Sequence, residues 1–129
     1  MKKKLESTPT LRWNQTGITI AGVSGNSGVT SNRLKSPGGL SIDWSNTLYI
    51  ADQENNRIQK YLKGALFGET VAGNASGIPG IEYNTLRSPG DLKVDLNGDI
   101  YVADSMNHRI QLWKRGSLNG ITIAGKTGI

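Results

Sequence analysis

Asp95, Asn97 and Asp99 stand at alternate positions in the run DLNGDI, a spacing of side-chain oxygens typical of calcium-binding loops. The rest of the loop motif does not fit. The motif requires glycine at its sixth position and a bidentate glutamate at its twelfth, whereas this run has Gly98 at the fourth and Met106 at the twelfth. We therefore expect no calcium site here.

Other chemistry is limited by composition, because the chain has no cysteine and a single histidine, His108. Thiolate zinc sites, cysteine nucleophiles and paired-histidine catalysis are excluded on this chain, and one histidine in a turn offers no credible catalytic triad. Two glycine clusters, GVSGNSG from Gly22 and GNASG from Gly73, lack the Lys-Ser/Thr ending of a phosphate-binding loop and precede no helical pattern. We predict no enzyme, no metal and no cofactor.

One polar pattern, Asp-x-x-Asn-x-Arg, occurs twice at a spacing of 52 residues, within the stretches ADQENNRIQKY and ADSMNHRIQLW. Asp and Asn side chains hydrogen-bond to nearby backbone in tight turns, and an arginine after the turn can pair with the aspartate before it. We predict a structural hairpin clamp in each copy rather than a catalytic role. The clamp residues are Asp52, Asn55 and Arg57, then Asp104, Asn107 and Arg109.

The elements that hold these residues repeat at the same spacing, so repetition decides the architecture. Each unit has four short segments, a to d: GLSID or DLKVD, LYIAD or IYVAD, RIQKY or RIQLW, and ETVAG or ITIAG. Alternating apolar residues and β-branched content predict strands, and short turns predict antiparallel pairing. Asn97-Gly98 between a and b is the pair preferred by a type I′ turn. Four such strands per unit describe a β-propeller blade.

The predicted fold is all-β: a partial β-propeller with two four-stranded antiparallel blades plus one extra outer strand. The extra strand is a third ITIAG-type segment, Ile18–Gly22, ahead of the first unit. We expect a flexible basic tail over residues 1–12 and propeller structure over residues 13–129, with repeat units at about 23–73 and 74–125. Tyr49, Tyr61, Tyr101 and Trp113 lie within strands, where we expect them to pack between the sheets. Trp44 lies in a turn, where two roles are open, an exposed contact and packing, and we favour packing.

These residues together resemble the NHL-repeat family. The resemblance rests on Leu-x-Ser-Pro-Gly from Leu34 and Leu86, on the strands that end at Asp52 and Asp104, and on the Asn-x-Arg-Ile that follows each of them. It implies a propeller, commonly of six blades. It also implies a binding platform: members include recognition modules of ubiquitin ligases, RNA-binding regulators, extracellular sensors and one lyase, whose metal-binding histidines have no match here. A protein-binding scaffold is the favoured function, with ubiquitin-ligase substrate recognition and RNA binding as alternatives.

Two blades cannot close a ring, because closed propellers need 4–8 blades. Either the remaining blades belong to a longer parent chain, or three copies assemble into a trimer. We favour the longer chain, since the extra outer strand leaves one d segment too many for assembly from equal sets.

Antiparallel order places the b–c turns and the long d–a loops at one end of the blades, where binding is expected. The candidate partner-binding residues there are Arg33, Lys35, Tyr83, Arg87 and His108. Charges of both signs and a single loop aromatic favour a protein partner over RNA. The net charge of +5 comes partly from the tail.

The sequence contains no apolar stretch long enough for a membrane-spanning helix and no secretory signal, so we expect no membrane association and favour a cytoplasmic location. We do not expect glycosylation at the sequons of Asn14 and Asn74.

Overall fold

The computed structural model describes residues 12–126, so the predicted basic tail lies outside the described residues except for residue 12. The described part contains two four-stranded antiparallel sheets, each with its strands in sequence order. The strands are β1 (Pro37–Ile42), β2 (Leu48–Asp52), β3 (Arg57–Tyr61), β4 (Glu69–Gly73), β5 (Asp91–Val94), β6 (Ile100–Asp104), β7 (Arg109–Trp113) and β8 (Ile121–Gly125). We call β1–β4 blade 1 and β5–β8 blade 2. The predicted all-β fold with two four-stranded blades is confirmed.

The two blades have the same register in their second and third ladders, whereas an irregularity between Pro37 and Leu40 occurs only in the first ladder of blade 1. Asp52 is paired with Arg57 across the second hairpin of blade 1, and Asp104 with Arg109 in blade 2. The ladder between the third and fourth strands shifts by one residue after Ile58, and the same irregularity occurs in blade 2. The spacing of 52 residues therefore describes one three-dimensional unit used twice.

The turns between second and third strands are one-turn 3₁₀ helices, Gln53–Asn55 and Ser105–Asn107. No helix among residues 12–126 has the length and apolarity to cross a membrane. Each helix ends at a left-handed residue, Asn56 (φ 53°) or His108 (φ 55°). Asparagine is among the residues that tolerate this conformation best.

The turn between the first and second strands differs from the type I′ turn that we predicted. Of the pair Asn97-Gly98, only Gly98 has a positive φ, at 81°. The Asp95 carboxylate accepts hydrogen bonds from the backbone N–H groups of Asn97 and Asp99, at 2.9 and 3.0 Å. These hydrogen bonds hold Leu96 and Asn97 in ordinary turn conformations. Gly98 is then the single left-handed residue that completes the chain reversal.

The main hydrophobic core lies between the two sheets. Blade 1 contributes Tyr49, Ala51, Ile58 and Ala72, and blade 2 contributes Leu92, Ile100, Val102 and Trp113, with Leu86 from the loop before it. The innermost strands are also joined directly, because the N–H of Gly39 donates to the carbonyl of Gly90 at 2.9 Å. A Cβ atom at Gly39 would overlap Asp91, so only glycine allows this approach.

The extra outer strand predicted at Ile18–Gly22 is wrong. These residues are not part of any strand, and Ile18 and Ile20 are exposed. The identical pentapeptide at Ile121–Gly125 is a strand because its backbone pairs with β7. Within the described residues, the earlier copy has no third strand of a blade beside it, and a strand needs such a partner for its backbone groups.

Candidate functional site

Each blade contains a buried polar cluster at the turn between its second and third strands. In blade 1, Asp52 Oδ2 accepts hydrogen bonds from Arg57 Nε at 2.8 Å and from Asn55 Nδ2 at 2.9 Å. All three residues are at least 95% buried. The same contacts at the same distances join Asp104, Asn107 and Arg109 in blade 2. The hairpin-clamp residues are thus brought together in both blades, away from solvent.

The clamps also hold the long loop in front of each blade. Arg57 donates four hydrogen bonds of 2.7–3.1 Å to backbone carbonyls of Val29, Thr30, Arg33 and Ala75. Arg109 donates similarly to the carbonyls of Ile81, Glu82 and Thr85. Since five N–H groups in a planar fork suit several acceptors at once, arginine fixes the course of the loop as well as the hairpin.

The basic residues predicted to bind a partner lie beside these clamps. Lys35 and Arg87 occupy equivalent positions, and the backbone N–H of each donates a 2.7 Å hydrogen bond to the clamp aspartate of its blade. The Lys35 ammonium lies 3.4 Å from a Glu54 carboxylate oxygen. Hydrogen bonds from the Ser36 hydroxyl, and then from Lys35, hold the pKa of Glu54 below its usual value. The positive charge at this end is therefore partly compensated.

Tyr83 and His108 do not lie at the same end of the blade. The carbonyl of Tyr83 accepts a hydrogen bond from the N–H of Gly120, directly before β8, whereas His108 precedes Arg109, which pairs with the far end of β8 at Gly125. Five strand residues separate these ends by about 16 Å. The loop before blade 2 therefore runs along the blade, and the predicted binding residues do not form one cluster.

A cleft of about 520 Å³ opens between the blades at the end opposite to the clamps. Its walls are β4 of blade 1, residues 43–47 and 95–98 in the a–b turns, and residues 114–118 of blade 2. Tyr49 and Trp113, which line it, are 7% and 2% exposed. The cleft is a concavity whose lining combines these two aromatic residues with polar and charged side chains. Binding sites are usually concave in this way.

Charges of both signs surround this floor. The lining residues with charge are Asp43, Lys60, Glu69, Asp95, Lys114 and Arg115. Burial raises the pKa of Tyr49, and the negative charge of Asp43, whose Oδ2 lies 3.5 Å from the tyrosine hydroxyl, raises it further. Three acidic and three basic side chains balance, so the cleft suits a partner that carries both kinds of charge.

Asp99 anchors the blade 2 side of the cleft. Its Oδ1 accepts the backbone N–H of Arg115 at 2.9 Å, and its Oδ2 lies 3.3 Å from the Lys114 ammonium. The backbone hydrogen bond, together with the lysine, holds the pKa of Asp99 below its usual value. These contacts fix the c–d turn of blade 2 against the a–b turn.

Large apolar side chains are exposed at the tips of the turns around the cleft. Trp44 and Leu96 are equivalent residues of the two a–b turns, and Leu66 and Leu118 are equivalent residues of the two c–d turns. All four are between 79% and 88% exposed. We call the cleft and these four side chains the cleft face. Exposed apolar groups gathered at one end of a protein are typical of an interaction surface.

Our interpretation of Trp44 as a packing residue is wrong, because the side chain is 82% exposed. The residue occupies the tip of a turn whose backbone is tied down by Asp43, so its side chain projects beyond both sheets. The signal was present in the sequence: a tryptophan and a leucine follow Asp43 and Asp95 at matching turn positions, where polar residues are usual.

Comparison with known proteins identifies the repeat unit. The NHL repeat family model matches residues 34–61 and 86–112, which span the first three strands of each blade. Two segments of the chain thus match the NHL repeat. NHL repeat-containing protein 2 of Bos taurus is 37% identical to the chain over 86 residues, which cover 62% of this chain and 12% of that relative. NHL repeats are in general protein-interaction modules rather than catalytic ones. Among residues 12–126, no three acidic or histidine side chains are grouped as metal ligands.

Proposed function

We propose that this pair of NHL repeats is a non-catalytic protein-binding module and that its cleft face receives the partner. The observation that carries the proposal is the arrangement of Trp44, Leu96 and Leu118 around a preformed cleft. Binding energy in protein interfaces is concentrated in a few large side chains, with tryptophan prominent among them, placed near a pocket. An extended peptide segment with an apolar anchor and charges of both signs fits this surface.

The charge pattern favours a protein over a nucleic acid. RNA-binding surfaces present uncompensated lysine and arginine together with exposed aromatic rings for base stacking. At the clamp end, Lys35 is paired with Glu54. At the cleft, acidic and basic residues balance. The cleft therefore lacks the surplus of positive charge that RNA recognition requires, and at the clamp end the ion pair with Glu54 reduces it.

Selection of binding peptides gives a direct test. A displayed library of random 16-residue peptides is selected against the immobilised chain, and affinities of the recovered peptides are measured by fluorescence anisotropy. We expect Trp44→Ala combined with Leu96→Ala to weaken binding at least about tenfold. The matched control is Arg33→Ala combined with Arg87→Ala, which changes exposed side chains at the clamp end and should leave affinity within about twofold.

Two results would contradict the proposal. Peptides that lose affinity only in the arginine double variant would place the binding site at the clamp end. Salt-dependent binding of a single-stranded U-rich RNA, abolished by the same arginine variant and unaffected at Trp44, would make RNA the partner.

A further inference from the structure

The packing of blade 1 on blade 2 shows which surfaces of a blade contact the blades beside it. Residues paired across a ladder share a face of the sheet, so each blade has two faces. We call the face of Leu40, Ile42 and Ile50 in blade 1, with its equivalents in blade 2, the leading face. The opposite face, with Tyr49, is the trailing face. The trailing face of blade 1 packs on the leading face of blade 2 to form the main core.

A short insert completes this contact. Leu86 of the Leu-x-Ser-Pro-Gly segment is fully buried and packs against Gly73 at the end of β4. The Asn56 side-chain oxygen accepts the N–H of Ser88 at 2.8 Å, and Gln53 donates to the Ser88 hydroxyl at 3.2 Å. The insert is therefore held by apolar contacts at the trailing face of blade 1 and by hydrogen bonds with the turn between β2 and β3.

The corresponding faces at the two outer sides of the pair are only partly covered. On the leading face of blade 1, Leu48, Ile50 and Tyr61 are buried, with Leu34 and Ala21 packed against them. On the leading face of blade 1, Leu40 is 57% exposed, whereas its equivalent Leu92 is 2% exposed. On the trailing face of blade 2, Ala124 is exposed, whereas its equivalent Ala72 is 3% exposed. Leu40 and Ala124 are thus exposed where no blade lies against them, whereas the neighbouring blade buries their equivalents Leu92 and Ala72.

Both halves of a second contact are already formed. Residues 34–38 repeat the Leu-x-Ser-Pro-Gly insert, and Ser36 has a φ of 48°, close to the 50° of Ser88. On blade 2, an apolar groove of about 250 Å³ is lined by the equivalents of the residues that hold Leu86. These are Ala103, His108, Ile110, Ala124 and Gly125. Insert and groove are at opposite sides of one chain, so they cannot meet within it.

We propose that a second copy of this chain docks on blade 2, placing its Leu34 insert in the groove and its leading face against the trailing face. The new contact would repeat the blade 1–blade 2 contact, which requires a leading face with its own Leu-x-Ser-Pro-Gly insert, and a second copy supplies both. Such head-to-tail contacts between identical chains form closed rings when the rotation permits. Two to four copies would supply the four to eight blades of a closed propeller. The described residues contain two complete sets of four strands. The extra strand predicted at Ile18–Gly22, which was our reason to disfavour assembly, is not formed.

Docking requires one segment to move. Gly22 lies beside Leu34 as Gly73 lies beside Leu86, with an added Cβ 3.4 and 3.3 Å from the leucine Cδ1. Gly22 thus occupies the place beside Leu34 that Gly125 of the incoming copy would take, and the pentapeptides that end at these two glycines are identical in sequence. Association therefore exchanges one ITIAG segment for another on the same leucine.

Two charged variants of the full chain test the contact from its two sides. Leu40→Arg blocks the leading face and Ala124→Arg blocks the trailing face, and both residues are exposed in the single chain, so folding should persist by circular dichroism. Sedimentation velocity from about 10 to 500 µM should show association of the wild type and a loss of at least about tenfold in each variant. Mixing the two variants should give a dimer and nothing larger, because each retains one intact side.

Leu66→Arg is the matched control, since this exposed leucine lies at a turn tip away from both faces and should leave association unchanged. His108→Asn should strengthen association severalfold, because it restores the acceptor that Asn56 provides to Ser88. A wild type that is monomeric throughout the concentration range overturns the proposal. So does a variant mixture that stays monomeric, or an equal loss in the Leu66 control.

Discussion

Replacement of Arg57 by leucine should destabilise the protein more than any surface substitution. Arg57 is 2% exposed, pairs with the buried carboxylate of Asp52 and donates to four backbone carbonyls of the loops around it. Leucine fills part of the space but donates nothing. The variant therefore leaves a buried negative charge without its partner and releases the loop in front of blade 1.

The expected loss follows from the charge alone. Removing one partner of a buried ion pair costs about 3–5 kcal/mol, because the remaining charge stays desolvated. Domains of ordinary stability unfold with about 5–15 kcal/mol, so the change removes a large fraction of the free energy of unfolding. For about 115 ordered residues, 1 kcal/mol corresponds to about 4 °C, and the melting temperature should fall by about 12–20 °C.

Urea denaturation followed by far-ultraviolet circular dichroism measures the effect. Arg109→Leu, the equivalent change in blade 2, should give a loss of similar size, and Arg33→Leu, which removes an exposed cation, should stay within about 0.5 kcal/mol. The double variant Asp52→Asn, Arg57→Leu should lose less than the sum of the single changes, by about 0.5–3 kcal/mol. A loss below about 1 kcal/mol for Arg57→Leu, or strict additivity in the double variant, would refute the reasoning.

Three further outcomes follow from the geometry. Gly120→Ala should destabilise by about 1–3 kcal/mol, because the new Cβ would lie 2.5 Å from the Trp113 ring, whereas Gly17→Ala, with nothing within 4 Å, should be neutral in the same denaturation assay. Asp99→Asn should lower the free energy of unfolding at neutral pH, because a carboxylate with a lowered pKa stabilises the fold while it is ionised. The difference in stability between variant and wild type should shrink as the pH falls below 3.8, the ordinary pKa of aspartate. A difference in stability that persists at pH 2 would contradict this. Trp44→Ala should change the free energy of unfolding by less than about 0.5 kcal/mol, and a larger loss would show that the side chain packs.

The sequence predicted the strands because their signals are local. Alternation of apolar and polar residues, β-branched residues and aspartate-containing turns are patterns of a few residues. Because the unit repeats after 52 residues, the prediction for each strand could be checked against its second copy. The extra strand at Ile18–Gly22 could not be judged in this way. Its residues are the same as those of β8, and only the neighbouring backbone decides whether the pentapeptide pairs. Strand formation at the outer edge of a blade is a property of the partner as much as of the segment.

Residues shared by the two copies form the framework of the blades, and residues that differ lie mainly at the surface. In the stretch from Ala51 to Tyr61, all six residues that are identical in the second copy are buried in blade 1, and they include the complete clamp. Where the copies differ, the side chains tend to be open to solvent, as at Glu54 and Met106. Trp44 and Leu96 follow the same rule at the cleft. The loops reach the clamps through backbone carbonyls, which any sequence offers, so this long-range contact leaves no trace in residue types. Differences between equivalent positions were therefore the better guide to the interaction surface, and shared residues the better guide to the fold.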